Sequence, residues 1–355
     1  DKEKDRYIMI YFNNDYSEGC HERVMEKLIT TNLEQTPGYG EDIYCVKAAD
    51  MIRALCGNEK LSVHFLVGGT QANLTVIAAA LRPHQAALGA ATAHINVHET
   101  GAVEATGHKV LSVASADGKI TADQVRNVVI THRASGSFEH EAQPKLVYIS
   151  NPTELGTIYS LAELEALSET CHELGLYLFL DGARLGYGIT AADNDVTLPD
   201  IARLCDVFYI GGTKVGALFG EAVVISNPTI AEDFRYLIKQ HGGMLAKGRL
   251  LGVQFGALLE NGLYFEISKH AVKMADQIRH TLDKIGVSYL VPGTTNQIFP
   301  ILSDTFLDEL VKNFMFTEME RVDEKHRAVR FCTSWASTQE NVDALCKELE
   351  RIAAL

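Results

Sequence analysis

The stretch Ser160-Leu161-Ala162-Glu163-Leu164-Glu165-Ala166-Leu167-Ser168-Glu169-Thr170-Cys171-His172-Glu173-Leu174-Gly175-Leu176-Tyr177-Leu178-Phe179-Leu180-Asp181-Gly182-Ala183-Arg184 holds a complete helix-to-strand unit. Ser160 and Glu163 have the spacing of a capping box, and Leu161, Leu164, Leu167, Cys171 and Leu174 recur at helical intervals until Gly175 ends the segment. The apolar run Leu176 to Leu180 follows at once, with no polar alternation, as in a strand covered on both faces. Asp181 then falls at the carboxyl edge of a buried strand, where open α/β sheets place their ligands. An unpaired charge there is costly, so Asp181 needs a cationic partner. Two are available to the reading: the neighbouring Arg184, or a protonated ring nitrogen of a bound cofactor.

Outward from this unit the same rhythm repeats. Apolar runs of strand length occur at Val63 to Val67, Lys109 to Val113, Lys145 to Ile149, Val207 to Ile210 and Ala222 to Ile225, most of them separated by helical patterns. The expected fold class is α/β, a mainly parallel sheet between helices. After about Arg235 the texture changes to a long helical stretch, Leu250 to Ile285, and then to shorter elements. A last helix runs from Ser337 to Ile352, with Ser337 and Glu340 as a second capping box and Val342, Leu345, Leu349 and Ile352 on one apolar face. The expected organisation is a large domain over 1–235 and a smaller C-terminal α/β domain over 236–355. The total of 355 residues suits two domains at roughly 150 residues each.

Composition narrows the class of function. With 32 Lys plus Arg against 46 Asp plus Glu the formal net charge is -14, which repels phosphate polyanions and anionic membranes, so nucleic acid is not an expected partner. Uninterrupted apolar runs such as Val76 to Leu81 are far shorter than the ~20 residues of a membrane span. Seven cysteines at irregular spacings, with no C-x-x-C pair, read as reduced thiols, and no metal ligand is assigned. The charged start Asp1-Lys2-Glu3-Lys4-Asp5 shows no signal peptide. The expectation is a cytoplasmic protein.

Neither G-x-G-x-x-G nor G-x-x-x-x-G-K-[ST] occurs, which takes support from ordinary NAD and ATP sites. What does occur is Phe65-Leu66-Val67-Gly68-Gly69-Thr70-Gln71-Ala72-Asn73, in which a strand stops at two glycines and a helix begins. Free amides and a hydroxyl at that point suit a phosphate, or form a tight turn with a Thr cap. The next strand after Asp181 runs into Gly211-Gly212-Thr213-Lys214-Val215-Gly216, so Lys214 and Asp181 can reach one crevice. His94, in Thr92-Ala93-His94-Ile95-Asn96-Val97-His98-Glu99, follows a small-residue strand candidate. A phosphate cradle, a strand-end Asp, a strand-end Lys and a His form the parts list for pyridoxal phosphate.

With these blocks in this order the chain resembles the L-threonine aldolases of the aspartate-aminotransferase fold (fold type I) and, more distantly, the β-eliminating lyases. The likeness runs from Asn13-Asn14-Asp15 to Arg330-Phe331-Cys332-Thr333. It implies pyridoxal 5'-phosphate as cofactor, Lys214 as the Schiff-base lysine, Asp181 as the pyridinium partner and His94 as the ring stacked on the cofactor. It matches Gly69, Thr70 and Gln71 to the phosphate loop, with Thr213 beside Lys214. Arg184 matches an arginine near the cofactor's phenolic oxygen and the substrate, and Arg330 matches the arginine that binds the substrate carboxylate. Asn14 stands near that carboxylate, and Tyr39, in Gly38-Tyr39-Gly40-Glu41-Asp42, matches a tyrosine contributed by a neighbouring subunit. A homo-oligomer with shared active sites is implied, a tetramer built from dimers.

Three departures from the family pattern bear on mechanism. Asn14 stands where the family often has Ser. Gly242-Gly243-Met244 continues as Leu245-Ala246-Lys247 without the family's phosphate-side arginine, leaving Lys247 or Arg249 as substitutes. Glu154, in Asn151-Pro152-Thr153-Glu154-Leu155-Gly156, replaces a common active-site His. The resemblance implies retro-aldol cleavage of L-threonine or L-allo-threonine into glycine and acetaldehyde, with His94 or Glu154 as base for the β-hydroxyl. The alternatives are a lyase that β-eliminates from a β-substituted amino acid, and a catalytically silent binding module of the same fold.

Overall fold

The computed structural model describes residues 9–355; the charged start at 1–5 lies outside the described residues. Seven strands form the main sheet: Ser62–Leu66, Gln85–Ala90, Lys109–Val113, Gln143–Ser150, Tyr177–Asp181, Val207–Gly211 and Glu221–Ile225. In space the order is 62–66, 221–225, 207–211, 177–181, 143–150, 85–90, 109–113. Glu221–Ile225 runs antiparallel to both its neighbours, and the other adjacent pairs are parallel. The carboxyl ends of the parallel strands therefore share one edge with the amino end of Glu221–Ile225. Register does the rest: Leu66 and Gly211 both face Glu221, and Ser150 faces Asp181.

The stretch around Asp181 folds as its pattern dictates. Both halves of the Ser160/Glu163 capping box form at the start of the helix Leu161–Leu174, and Gly175 closes it in the left-handed region at φ 68. Leu178, Phe179 and Leu180 lie buried in the next strand, and each such side chain contributes about 1.5–3 kcal/mol on leaving water. Gly182 is required by contact: a Cβ there would stand 1.9 Å from the Tyr209 carbonyl oxygen of the adjacent strand. The backbone can thus turn tightly at the sheet edge, directly after Asp181.

Two expected elements differ in detail. The stretch Leu250 to Ile285 is two helices, Arg249–Leu259 and Leu263–Lys284, broken where Asn261 and Gly262 adopt φ 57 and 75. The last helix spans Gln339–Ala353 and is capped by Thr338, whose hydroxyl accepts from the Asn341 amide. Ser337 forms no capping box, because its hydroxyl accepts from the Ser334 amide in the preceding turn.

Two apolar cores meet along one helix. The first surrounds the main sheet and takes in Leu263, Ile267, Ala271 and Val272; the second begins on the same helix with Met274, Ile278 and Leu282 and adds Val342, Leu345, Leu349 and Ile352. A small antiparallel sheet, Ile301–Ser303, His326–Cys332 and Thr317–Arg321, belongs to the second. Phe12 enters that core, and Cys332 donates its amide to the Phe12 carbonyl at 2.7 Å. This anchor fixes Asn13-Asn14-Asp15 at the junction of the two cores. No helix among the described residues is long and apolar enough to cross a membrane.

Candidate active site

The shared strand edge carries a depression in two connected parts, of about 280 and 450 Å³, both lined by Tyr16, His94, Glu154, Arg184 and Lys214. The inner part adds Gly68, Gly69, Thr70, Asp181, Thr213 and Glu221. The outer part adds Val97, His98, Leu155, Met319 and Arg330. Lys214, Asp181, His94, Glu154, Arg184, Arg330, Gly69, Thr70 and Thr213 therefore all come to one place.

Asp181 is buried and accepts three hydrogen bonds: from the Ala183 amide at 2.9 Å, from Asn73 Nδ2 at 3.2 Å and from the Tyr148 hydroxyl. Arg184 is not its partner. The guanidinium turns instead to Asp15, donating from Nε at 2.7 Å and from Nη2 at 3.0 Å. Asp15 is fully buried, and burial alone would raise its pKa, yet the charges of Arg184 and Lys214 with the hydrogen bonds from Arg184 and Asn296 hold it at about 2. A buried fork of this kind is rigid. The open choice for Asp181 is thus decided against Arg184, and Asp181 lines the inner cavity without an ion pair among the described residues.

Lys214 follows the strand Val207–Gly211 through a turn in which the Gly212 and Thr213 amides both donate to Gly220 O. Burial lowers its affinity for a proton, Arg184 adds to that effect, and Asp15, Asp181 and Glu221 oppose it. Its Nζ makes no hydrogen bond among the described residues. Thr213 is committed elsewhere: its hydroxyl donates to Glu221 Oε1 at 2.9 Å and accepts from the Gly220 amide at 3.0 Å. Glu221, unremarked in the sequence, is buried at 3% exposure and also accepts from the Gly212 amide at 3.2 Å. Burial pushes its carboxyl up to about 8, with the Thr213 hydrogen bond and Lys214 opposing and Asp181 adding to the rise. A glutamate opening a fully buried strand was the available signal.

The helix Gly69–Ala80 starts with no side-chain cap, and a Cβ on Gly68 would meet nothing within 4 Å. Gly68, Gly69 and Thr70 line the inner cavity, so the uncapped first turn of the helix stands at its wall. The Gln71 side chain turns away, accepting from the Val67 amide at 3.1 Å and donating to His241 O at 3.0 Å, so only its backbone can serve a ligand.

His94 opens a short helical turn, with Nδ1 2.7 Å from Glu99 Oε1. Glu154 Oε1 accepts from the His94 amide at 3.1 Å and from the Ser150 hydroxyl at 2.8 Å. Burial raises the Glu154 pKa and nearby Asp181 raises it further, against Ser150 and His94. Arg330 donates to Asn13 O at 2.9 Å and to Gln297 Oε1 at 3.3 Å, while its Nε is buried without a partner.

Three expected contacts are absent within the chain. Asn14 spends its side chain on a turn, accepting from the Tyr16 amide and the Ser17 hydroxyl at 2.9 Å each, and it is Tyr16 that lines the depression. Tyr39, at φ 61, lines a separate cavity of about 330 Å³ with Arg235 and Met244. Lys247 lines another, and Arg249 donates to the carbonyls of Glu34 and Thr31, so neither stands at the start of the helix Gly69–Ala80.

Uncapped amides, an unbonded lysine amine, a buried acceptor and an imidazole around one cavity fit pyridoxal phosphate: a phosphate for the amides, an aldehyde for the amine and a protonated pyridine for the carboxylate. The family model of the β-eliminating lyases matches residues 15–305. The chain belongs to this family. It is 31% identical over 340 residues to the low-specificity L-threonine aldolase of Pseudomonas aeruginosa, covering 90% of this chain and 96% of that one. A low-specificity L-threonine aldolase of a Pseudomonas species is 32% identical, covering 96% and 97%. The solved structure of Leishmania major threonine aldolase superposes with a TM-score of 0.94 at 44% identity, covering 97% and 99%. Thermus thermophilus aspartate aminotransferase, at 16% identity and a TM-score of 0.71, covers 97% and 91% and shares the fold. Membership of the β-eliminating lyase family makes the chain a pyridoxal-phosphate-dependent lyase of fold type I, and the reading as a silent binding module falls.

Proposed function

We propose that the chain is an aldehyde-lyase that splits L-threonine or L-allo-threonine into glycine and acetaldehyde, with Lys214 as the covalent anchor of pyridoxal phosphate. The observation that carries this reading is that Lys214 and Arg330 line one cavity with His94 and Glu154. An α-amino acid can thus be held at both ends with its β-substituent beside two proton acceptors. Pyridoxal phosphate, when bound, supplies the electron sink that lets the Cα–Cβ bond break.

The chain's own groups have distinct tasks. The first-turn amides of Gly69, Thr70 and Gln71 hold the phosphate. Asp181 keeps a proton on the ring nitrogen. Arg330, whose buried Nε lacks a partner, binds the substrate carboxylate, and Arg184, locked by Asp15, lines the same outer cavity. The β-hydroxyl proton goes to Glu154 or to His94; a carboxylate whose pKa is raised by burial is the better base for being less readily ionised.

Assembly and location belong to the same reading. Tyr39 serves the active site of a neighbouring copy in a tetramer of paired dimers, supported by its separate cavity and by exposed Ile29, Ile43 and Val46 on the flanking helices and Leu33 in the turn between them. The large domain over 1–235 and the small domain over 236–355 remain the proposed division, the helix Leu263–Lys284 being shared between their cores. Seven unpaired thiols support the cytoplasm as the compartment.

Incubation of the pyridoxal-phosphate-loaded protein with L-threonine and L-allo-threonine tests the reaction. Glycine and acetaldehyde in equal amounts are expected. Ammonia and a keto acid without glycine would assign β-elimination instead.

A further inference from the structure

Beneath the cavity, two acidic side chains are joined through one amide. Asn73, on the helix Gly69–Ala80 and fully buried, donates from Nδ2 to Glu99 Oε1 at 2.6 Å and to Asp181 Oδ2 at 3.2 Å. Glu99 Oε1 in turn lies 2.7 Å from His94 Nδ1. The Glu99 side chain is fully buried, its Oε2 has no partner, and it lines neither part of the depression. An ionised carboxylate only accepts, so the proton between Glu99 and His94 is carried on Nδ1, and the ring nitrogen left over, Nε2, is the one free for other work.

We propose that Glu99 is the positioning residue for His94: it fixes the imidazole's orientation and tautomer and, through Asn73, ties that ring to Asp181. The inference rests on the reading of the site given above and assigns a task to a residue outside the cavity. Alone, His94 would sit over the depression on a short turn with free rotation about χ2. Its other hydrogen bonds are made by its backbone, the amide donating to Glu154 Oε1 and the carbonyl accepting from the His98 amide, so among the described residues the ring itself is held by Glu99 alone. The hydrogen bond to Glu99 removes that rotation. It also sets the ring's charge. Burial disfavours the imidazolium, but Glu99 and Asp181 favour it and the net shift is upward, with Lys214 opposing. His98, whose ring centroid lies 5.5 Å away, and Arg184, Arg330 and Glu154 around the outer cavity complete the charged surroundings of His94.

The chain Asp181, Asn73, Glu99, His94 links the carboxylate that would hold the cofactor's ring nitrogen to the imidazole that would pack against the cofactor. Asn73 and Glu99 are buried, so the hydrogen bonds that join them to Asp181 and His94 are not open to competition from water. Asn73 can point only one way, since its oxygen would face two carboxylates if the amide were reversed.

The test is histidine titration by nitrogen-15 NMR on the pyridoxal-phosphate-loaded protein, with the His94 signal assigned by its loss in His94→Asn. Glu99→Gln keeps shape and a hydrogen-bond acceptor but removes the charge. It should lower the midpoint of the His94 titration by at least one pH unit, reduce kcat about tenfold and shift its pH profile, with cofactor affinity within twofold of wild type. Glu99→Leu should go further, mixing the two neutral tautomers. An unmoved His94 titration and tautomer in a folded Glu99→Gln protein would overturn the proposal. The spectroscopic readout does not depend on the reaction, so a protein that cleaves no hydroxy amino acid yet shows the His94 shift would refute the proposed function and leave this inference standing.

Discussion

The two sides of the depression are built differently. The cofactor side comes from short loops that directly follow strands: Gly68 to Thr70 after Ser62–Leu66, Asp181 at the end of its own strand, and Lys214 three residues beyond Gly211. The substrate side is assembled from remote segments: Arg330 leans on Asn13 and Gln297, and Arg184 is clamped by Asp15, which is 169 residues away in sequence. The first side is held by backbone geometry, the second by hydrogen-bonded charges crossing between the two cores. Damage to the first should abolish cofactor chemistry, and damage to the second should weaken substrate binding or proton transfer while the cofactor stays in place.

Lys214→Ala makes the sharpest test of the cofactor side. Loss of the covalent anchor should remove the visible absorbance of the bound cofactor and lower turnover by at least a thousandfold, both read on the same sample. A retained visible band would move the anchor to another lysine and dissolve the contrast. On the substrate side, Arg330→Leu should raise KM for threonine about a hundredfold with the visible spectrum unchanged, since one charge-assisted fork is lost and the anchor is not. An unchanged KM would transfer the carboxylate to Arg184.

Glu154 lies where the two sides meet. Glu154→Gln should lower kcat ten- to a hundredfold and remove the acidic limb of the kcat profile, because the wild-type carboxylate must be ionised to accept a proton and its pKa is raised. A variant with the wild-type profile would leave His94 as the acceptor. The smallest effect is expected at Glu221. Its carboxyl, near 4.5 when unfolded and pushed up to about 8 when folded, binds its proton more tightly in the native state. It therefore contributes stability that is complete below about pH 4.5 and is lost as pH rises to about 8. For cofactor-free protein, Glu221→Gln should abolish about 2 kcal/mol of that decline, read as urea midpoints at pH 5 and pH 9. Equal declines in the two proteins would mean that Glu221 is ionised throughout.

The sequence by itself determined the strand-and-helix rhythm, the capping box at Ser160 and the arrival of Asp181 and Lys214 at one strand edge. These follow from periodicity, glycine placement and the carboxyl-edge rule, all local properties of the chain. It also carried a resemblance specific enough to specify the cofactor. Tertiary structure alone decided which buried charge meets which. Arg184 is three residues from Asp181 and yet pairs with Asp15; Asn14 turns inward on its own loop while Tyr16 reaches the cavity; Glu221 and Glu99 look like ordinary acids until their strand or turn is buried. The physical reason is that apolar patterns say only that a segment is covered. The partner of a covered charge is set by hydrogen-bond geometry between segments that the linear order keeps far apart.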